Sequence, residues 1–395
     1  MSSSSEFPLF LLPIIALQHV LKWMPPFESV ILSLTSKRSK TICQSVRRKA
    51  NKKGFCKIET LSLQYSSMKE VEISSPIFKS IFQFERLPKS KSMMYNFFSS
   101  IFHAKKNFYK LIDGVYVSSY ASREGNKKGQ LYTLYFDCED VMTPIHSWIL
   151  LLENILKVNL AVITLDLNSL IDHEQVPKIM EFCEGNRKPV ATFTLTGNVE
   201  PSKHDLIREI INRQNATTGL VLNFKTGPGF NYDFKNLRTM PTLLSIENSR
   251  WITLDNLFDM NMDFVFLGRT SLKSSDFKCL FQKWIDGWHP KWFLAKLVFG
   301  EHIDLDIVMN EIEQEIRAVE GNTEGAQKIE FRRIESRRVT PDGILEKIKY
   351  GIFCPGMITA LVAIEAGFYA SFHFSQPSKG RNFSVKVYDE LLQDL

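Results

Sequence analysis

The sequence predicts an α/β protein in which a short N-terminal module of three helices is followed by an irregular array of β-α units. Apolar residues recur with helical spacing up to about residue 49, and extended apolar runs alternate with helical segments from residue 145 onward. The 395 residues also exceed the roughly 250–300 at which a single core stops growing. We therefore expect a helical module in residues 1–50 and a larger α/β domain in residues 55–395.

The first two helices are predicted from apolar periodicity and from proline. Leu12-Pro13 precedes a helix whose apolar residues are spaced i, i+3, i+4 and i+7: Leu17, Val20, Leu21 and Met24. Pro25-Pro26 ends this helix, and Pro26 suits the first turn of the next one. The second helix repeats the same spacing with Phe27, Val30, Ile31 and Leu34. Two short amphipathic helices are therefore expected before residue 35.

The third predicted helix is basic. Thr35 or Ser36 can cap it, and we expect Ile42, Cys43 and Val46 to face inward. Its cations are predicted to face solvent: Lys37, Arg38, Lys40, Arg47 and Arg48. Residues 47–53 could bind nucleic acid, but no aromatic residue interrupts them, and a solvated helix is the favoured interpretation.

The order Leu-Pro, apolar helix, Pro-Pro, apolar helix and Ser-x-Arg entry to a basic helix resembles the F-box, over residues 7–49. The alternative is that these helices begin a larger helical core. The resemblance implies helix-in-groove binding to a Skp-type adaptor, and through it to a cullin ubiquitin ligase. The residues that it implies for adaptor binding are Leu12, Pro13, Leu17, Val20, Leu21 and Pro25.

Beyond the module, short strands are predicted from residue 58, including a hairpin around residues 114–136. From residue 145, strands recur every twenty to thirty residues with helices between them, which resembles an irregular leucine-rich-repeat solenoid. A doubly wound α/β sheet is the alternative. Two strands near the C-terminus, at residues 357–364 and 368–374, are expected to cap the array.

One block, residues 251–298, is more specific. Trp251-Ile252-Thr253-Leu254 leads into a strand at residues 264–267 and then a helix bearing Phe277, Leu280, Phe281 and Trp284, which Ser274 or Ser275 can cap. This order resembles the F-box-associated (type 2) domain of a family expanded in nematodes, and the resemblance implies recruitment of an unknown protein target. Trp284 is predicted to be core, and Trp288, in the following turn, is a weak target-binding candidate.

No catalytic residue, metal site or cofactor is predicted. Gly227-Pro228-Gly229 lacks the third glycine of a dinucleotide loop, and the adjacent Glu301-His302 pair is better explained as solvated surface. The six cysteines show no zinc-ligand spacing and are expected to be reduced. No run approaches the ~18 apolar residues of a membrane helix, so we expect an intracellular protein, cytoplasmic or nuclear.

These observations favour a non-catalytic substrate-recognition adaptor of a Skp-cullin-F-box-type ubiquitin ligase. Two alternatives remain open: a repeat-type protein-interaction module without ligase association, and an enzyme on an α/β scaffold. The ligase adaptor and the repeat-type module differ only in whether residues 7–49 bind the Skp-type adaptor.

Overall fold

In a computed structural model, the chain divides into two units, Met1–Thr194 and Leu195–Leu395. The structure describes residue 9 and then residues 12–52, 58–75, 78–86, 107–112, 115–124, 127–136, 142–169, 175–184, 188–286, 288–320, 330–340, 343–354, 357–365 and 369–374.

The first unit opens with the three predicted helices: α1 (Ile14–Trp23), α2 (Pro26–Leu34) and α3 (Lys37–Lys52). Pro26 occupies the first position of α2, where a missing amide proton costs no intrahelical hydrogen bond. Ser36 caps α3, since its hydroxyl oxygen accepts a hydrogen bond from the amide of Ser39 at 3.0 Å. The predicted helical module is confirmed.

A mixed sheet follows in the same unit. Its strands are β1 (Thr60–Tyr65), β2 (Lys69–Ser74), β3 (Phe78–Arg86), β4 (Asn107–Ile112), β5 (Val115–Glu124), β6 (Lys127–Phe136) and β7 (Val162–Asp166), in the order β7-β1-β2-β3-β6-β5-β4. β5 and β6 pair antiparallel and form the predicted hairpin. Two further helices belong to this unit, α4 (Met142–Leu156) and α5 (Gln175–Glu184), and β8 (Thr192–Val199) spans the division between the units.

The second unit contains the parallel array. Its helices are α6 (His204–Arg213), α7 (Leu254–Asp259), α8 (Ser274–Ile285) and α9 (Leu305–Glu320), and its parallel strands are β9 (Gly219–Thr226), β10 (Leu243–Ile246), β11 (Phe264–Leu267) and β12 (Leu294–Val298). Four antiparallel strands complete it: β13 (Glu330–Thr340), β14 (Gly343–Cys354), β15 (Met357–Glu365) and β16 (Tyr369–Phe374).

Buried side chains form continuous rows across this array. One row joins paired positions from β9 to β16: Leu220, Leu244, Val265, Ala295 and Phe372. A second row, two residues along each strand, contains Leu222, Ile246, Leu267, Leu297 and Ala370. All ten are buried, because residues at i and i+2 of a strand share one face. Each strand therefore completes its core against its neighbours, as in a repeat protein.

The strand order separates the two predicted architectures. β9, β10, β11 and β12 pair in chain order, whereas a doubly wound sheet reverses its order at a switch point. The structure thus agrees with the repeat-like prediction. β16 pairs antiparallel with β12, so the C-terminal strands end the parallel series. Four strands were not predicted, namely β3, β4, β13 and β14.

Within the described part of the chain, every helix is too short or too polar to cross a membrane.

Candidate partner-binding surfaces

The N-terminal module has an apolar core with one buried cation. Leu17 and Leu21 of α1 pack inside with Phe27 and Val30 of α2 and with Cys43 and Val46 of α3. Arg47 is only 1% exposed, so the prediction that it faces solvent is wrong. Its Nη2 donates hydrogen bonds to the Met24 carbonyl oxygen and to the Ser29 hydroxyl oxygen. A buried guanidinium needs such partners, and these two lie at the end of α1 and within α2.

The module also packs against strands of its own unit. The Phe27 ring lies 3.8 Å from the Tyr132 ring of β6 and 5.7 Å from the Phe82 ring of β3, measured between centroids. On α3, Gln44 Nε2 donates to Asn154 Oδ1 of α4 at 2.9 Å. The three helices therefore pack against β3, β6 and α4 of the same unit.

The six predicted adaptor-binding residues are placed differently from one another. Leu17 and Leu21 are 3% and 1% exposed and form the interior of the module. Val20 is 41% exposed, Pro13 is exposed, and Leu12 and Pro25 are half-buried. Four of the six thus have surface that a partner can touch, whereas the other two hold α1 in place.

Other apolar side chains on α1 are more exposed than the predicted ones. Ile15 is 80% exposed, Ile14 55% and Trp23 47%. Ile15 and Trp23 are two helical turns apart and therefore project on one side of α1, away from Leu17 and Leu21. The Trp23 ring is flanked by His19, 6.5 Å away, and by the Lys22 Nζ atom, 5.9 Å from its centroid. For Ile15 and Trp23 the sequence signal was available, because both fall outside the i, i+3, i+4, i+7 stripe of Leu17, Val20, Leu21 and Met24.

Leu34, at the end of α2, adds a further 37% exposed apolar side chain. We call Ile14, Ile15, Val20, Trp23 and Leu34 the exposed apolar set. Large apolar side chains concentrated in so few residues are typical of a binding surface, since isolated ones are common but groups are not.

In the second unit, the aromatic residues of residues 251–298 separate into core and surface. Trp284 is 9% exposed and Trp292 is fully buried, with its Nε1 donating to the Leu257 carbonyl oxygen at 3.4 Å. Trp288 is half-buried, with its ring 4.8 Å from Phe258 and 6.2 Å from Trp292. The predicted core position of Trp284 is confirmed, and Trp288 keeps part of its ring at the surface.

A polar pocket of about 310 Å³ lies beside the segment after β9. Tyr232 donates from its hydroxyl to Asn212 Oδ1 at 2.6 Å, Arg208 Nε donates to the Asn231 carbonyl oxygen at 3.0 Å, and Asn256 Nδ2 donates to the Tyr232 carbonyl oxygen at 3.2 Å. Burial, together with the charge of Asp233, raises the pKa of Tyr232 above its usual range. These bonds hold the segment after β9 against α6 and α7, which is a structural role.

A second pocket, of about 460 Å³, lies at the carboxyl ends of β10, β11 and β12. Arg250 follows β10, Arg269 and Lys273 follow β11, and Glu301 follows β12. We call it the carboxyl-end pocket. Among the residues that the structure describes, no cluster of three or more potential metal ligands occurs.

Glu301 has a structural task at this pocket. Its Oε1 accepts hydrogen bonds from the amide of Ser274 at 2.7 Å and from the Ser274 hydroxyl at 3.0 Å. The amide bond, and then the hydroxyl bond, lower the pKa of Glu301 below its usual range. Neither Ser274 nor Ser275 caps α8 as predicted, because the N-cap position belongs to Lys273, whose amide donates to Asp276 Oδ2 at 2.8 Å.

Comparison with known protein families agrees with both resemblances found in the sequence, the F-box and the F-box-associated domain. A family model of the F-box domain matches residues 9–51, and a model described as F-box associated matches residues 233–292. No curated protein matches the chain. The first match covers the three helices, and the second covers the segment from the 3₁₀ turn at Phe234–Asn236 to Trp292. The chain therefore carries an F-box domain at residues 9–51 and an F-box-associated domain at residues 233–292 of its second unit.

Proposed function

We propose that the chain is a substrate-recognition adaptor of a Skp-cullin-F-box-type ubiquitin ligase, in which the F-box binds the Skp-type adaptor and the second unit binds the target protein. The observation that carries the proposal is the exposed apolar set on a module whose core is complete without it. Ile15 and Trp23 expose apolar surface to water. A groove on a partner protein that receives α1 would cover this surface.

The proposed contribution to ubiquitin transfer is proximity. An adaptor that holds a target near the charged conjugating enzyme raises the effective concentration of the target's lysines, and it needs no catalytic residue of its own. The same proposal places the protein inside the cell, in the cytoplasm or nucleus, where these ligases act. Trp288 remains a weak candidate for target binding, since part of its ring is exposed beside Phe258.

The test is capture of a purified Skp-type adaptor by the full-length chain. Ile15→Asp combined with Trp23→Asp should reduce the captured adaptor at least about tenfold, because carboxylates buried in an apolar groove cost several kcal/mol. Both side chains are exposed in the free chain, so the variant should fold. Leu17→Asp or Leu21→Asp would not serve, since those side chains form the core.

The matched control introduces two aspartates at exposed apolar positions of other helices, Leu150→Asp on α4 and Ile307→Asp on α9, which are 47% and 57% exposed. This control should capture as much adaptor as the unmodified chain. If the unmodified chain, the Ile15→Asp, Trp23→Asp variant and the control all capture equal amounts of adaptor, the proposed binding surface is wrong. A folded wild-type chain that captures no adaptor would instead support a repeat-type interaction module without ligase association.

A further inference from the structure

The carboxyl-end pocket is built from the loops that follow three consecutive parallel strands. Arg250, Arg269 and Lys273 line it, and all three are exposed. Loops that connect strands often carry binding residues, because the loops can vary while the strands hold them in place. The volume of about 460 Å³ lies within the range of pockets that hold small ligands or single side chains.

The walls of this pocket are fixed by close backbone packing. A Cβ atom on Gly268 would lie 2.7 Å from the Glu247 carbonyl oxygen, and one on Gly300 would lie 3.1 Å from the Thr270 carbonyl oxygen. Hydroxyl groups also join the loops: Ser271 Oγ donates to the Arg250 carbonyl oxygen at 2.9 Å, and Thr270 Oγ1 donates to the Val298 carbonyl oxygen at 2.8 Å. The loops that carry the cations are therefore held at set positions before any ligand binds.

The charge of the pocket is not balanced from within. Its lining has three cations and one carboxylate, and that carboxylate, Glu301, is occupied by the amide and hydroxyl of Ser274. Arg269 Nη1 has only a long hydrogen bond, 3.5 Å, to the neutral amide oxygen of Asn248. In the described part of the chain, neither Arg250 nor Lys273 forms a salt bridge, although the charge of Lys273 contributes to the lowered pKa of Glu301. The pocket therefore presents positive charge to whatever enters it.

We propose that the carboxyl-end pocket binds an oxyanion on a side chain of the target protein, either a phosphate or a carboxylate, a proposal that rests on the recruiting function proposed above. Two guanidinium groups and one ammonium group suit such a group, because arginine binds phosphate and carboxylate through paired hydrogen bonds. A nucleic acid fits the pocket less well, since its one aromatic lining residue, Phe299, is 4% exposed and offers no face for base stacking.

The test uses three pools of fluorescein-labelled nine-residue peptides with random flanks lacking Asp and Glu. Their central residue is phosphoserine, glutamate or serine, and binding to the full-length chain is followed by fluorescence polarisation. The phosphoserine pool, the glutamate pool or both should bind at least about tenfold more tightly than the serine pool, as expected for hydrogen bonds to charged groups. Preference for phosphoserine alone would assign phosphate, and similar binding of both anionic pools would assign any oxyanion.

Arg250→Gln combined with Lys273→Gln should abolish the difference between the pools. The matched control, Lys188→Gln combined with Lys225→Gln, removes the same charge from exposed positions outside the pocket and should keep that difference. If the three pools bind the unmodified chain equally, or if both double variants behave alike, the proposal is overturned.

Adaptor capture by the Arg250→Gln, Lys273→Gln variant separates this proposal from the previous one. The variant should capture the Skp-type adaptor as well as the unmodified chain does, because the exposed apolar set is intact. Loss of peptide discrimination with retained capture supports an anion pocket. A chain that captures no adaptor yet distinguishes the peptide pools retains the anion pocket and loses the ligase function.

Discussion

Arg47 donates a hydrogen bond from its Nη2 atom to the hydroxyl oxygen of Ser29 at 2.7 Å, and this bond joins α3 to α2 inside the F-box domain. The Ser29 hydroxyl in turn donates to the Pro25 carbonyl oxygen at 3.2 Å. The same Arg47 nitrogen donates to the Met24 carbonyl oxygen at the end of α1. One cation therefore links all three helices, and it takes up a carbonyl that the end of α1 leaves without an intrahelical donor.

Arg47→Ala should destabilise the F-box domain by about 2–4 kcal/mol, because it leaves the Met24 carbonyl without its side-chain donor and also creates a cavity. Arg48→Ala is the matched control, since Arg48 is exposed and its loss should change stability by less than about 0.5 kcal/mol. Amide hydrogen exchange of residues 14–49 measures both effects. Equal exchange in the two variants would mean that Arg47 has no role in holding the helices together.

Tyr132→Ala should increase hydrogen exchange in α2, although Tyr132 lies on β6. Its ring covers that of Phe27, which is 3% exposed, and its removal should cost about 3 kcal/mol. Tyr132→Phe keeps the ring and should have a smaller effect. Unchanged exchange in α2 after Tyr132→Ala would show that the F-box domain folds without the sheet. For the same reason, a fragment of residues 1–55 should be less stable than the F-box domain of the full chain.

Trp284→Ala should destabilise the second unit by about 3–5 kcal/mol, the range for removing a large aromatic side chain from a core. The Trp284 ring packs edge-on against Phe281, with 6.4 Å between centroids. Cys279→Ala is the control, because Cys279 is exposed on the same helix. Urea unfolding followed by circular dichroism measures the difference. A near-neutral Trp284→Ala would mean that α8 presents this side chain to solvent.

The carboxyl group of Glu301 should titrate below the usual glutamate range, because the Ser274 amide and hydroxyl favour its charged form. A lowered pKa adds stability above the ordinary glutamate pKa, and that stability is lost as the pH falls through the lowered value. Ser274→Ala should raise the pKa of Glu301 only in part, since the larger effect comes from the backbone amide, which remains. Carbon-13 NMR titration of the Glu301 carboxyl group measures both values. An ordinary pKa before and after the substitution would contradict the hydrogen bonds.

Much of the second unit could be predicted because its strands show either alternating apolar and polar residues or continuous apolar runs, both of which are typical of strands with a buried face. The predicted strand at residues 264–267 matches β11, and the predicted helix that bears Phe277 and Trp284 matches α8. β13 escaped prediction because it carries four arginines among its eleven residues, which hides its apolar alternation. It lies at the end of the strand order, where charged side chains commonly protect a sheet edge.

The position of Arg47 was predictable in principle. Ser39, Cys43, Val46 and Arg47 follow one face of α3 at i, i+4, i+7 and i+8, and all four are buried. Arg47 was predicted to face solvent because of its charge, although its helical spacing indicated the buried face. Arginine is seldom buried without partners. Those partners, Met24 and Ser29, lie on other helices. The carboxyl-end pocket was hidden for a related reason, since its cations come from separate loops that only the pairing of the strands brings together.

The chain-order pairing of β9 to β12 also bears on how such a protein can change over generations. β10 and β11 each bond only to the strands next to them in the chain, so the duplication or loss of one of these strands with its helix would keep the chain-order pairing of the rest of the series. Such an event would add or remove a loop at the edge where the cations lie. A change in the number of units would therefore alter the loops at this edge and leave the three helices at residues 14–52 unchanged.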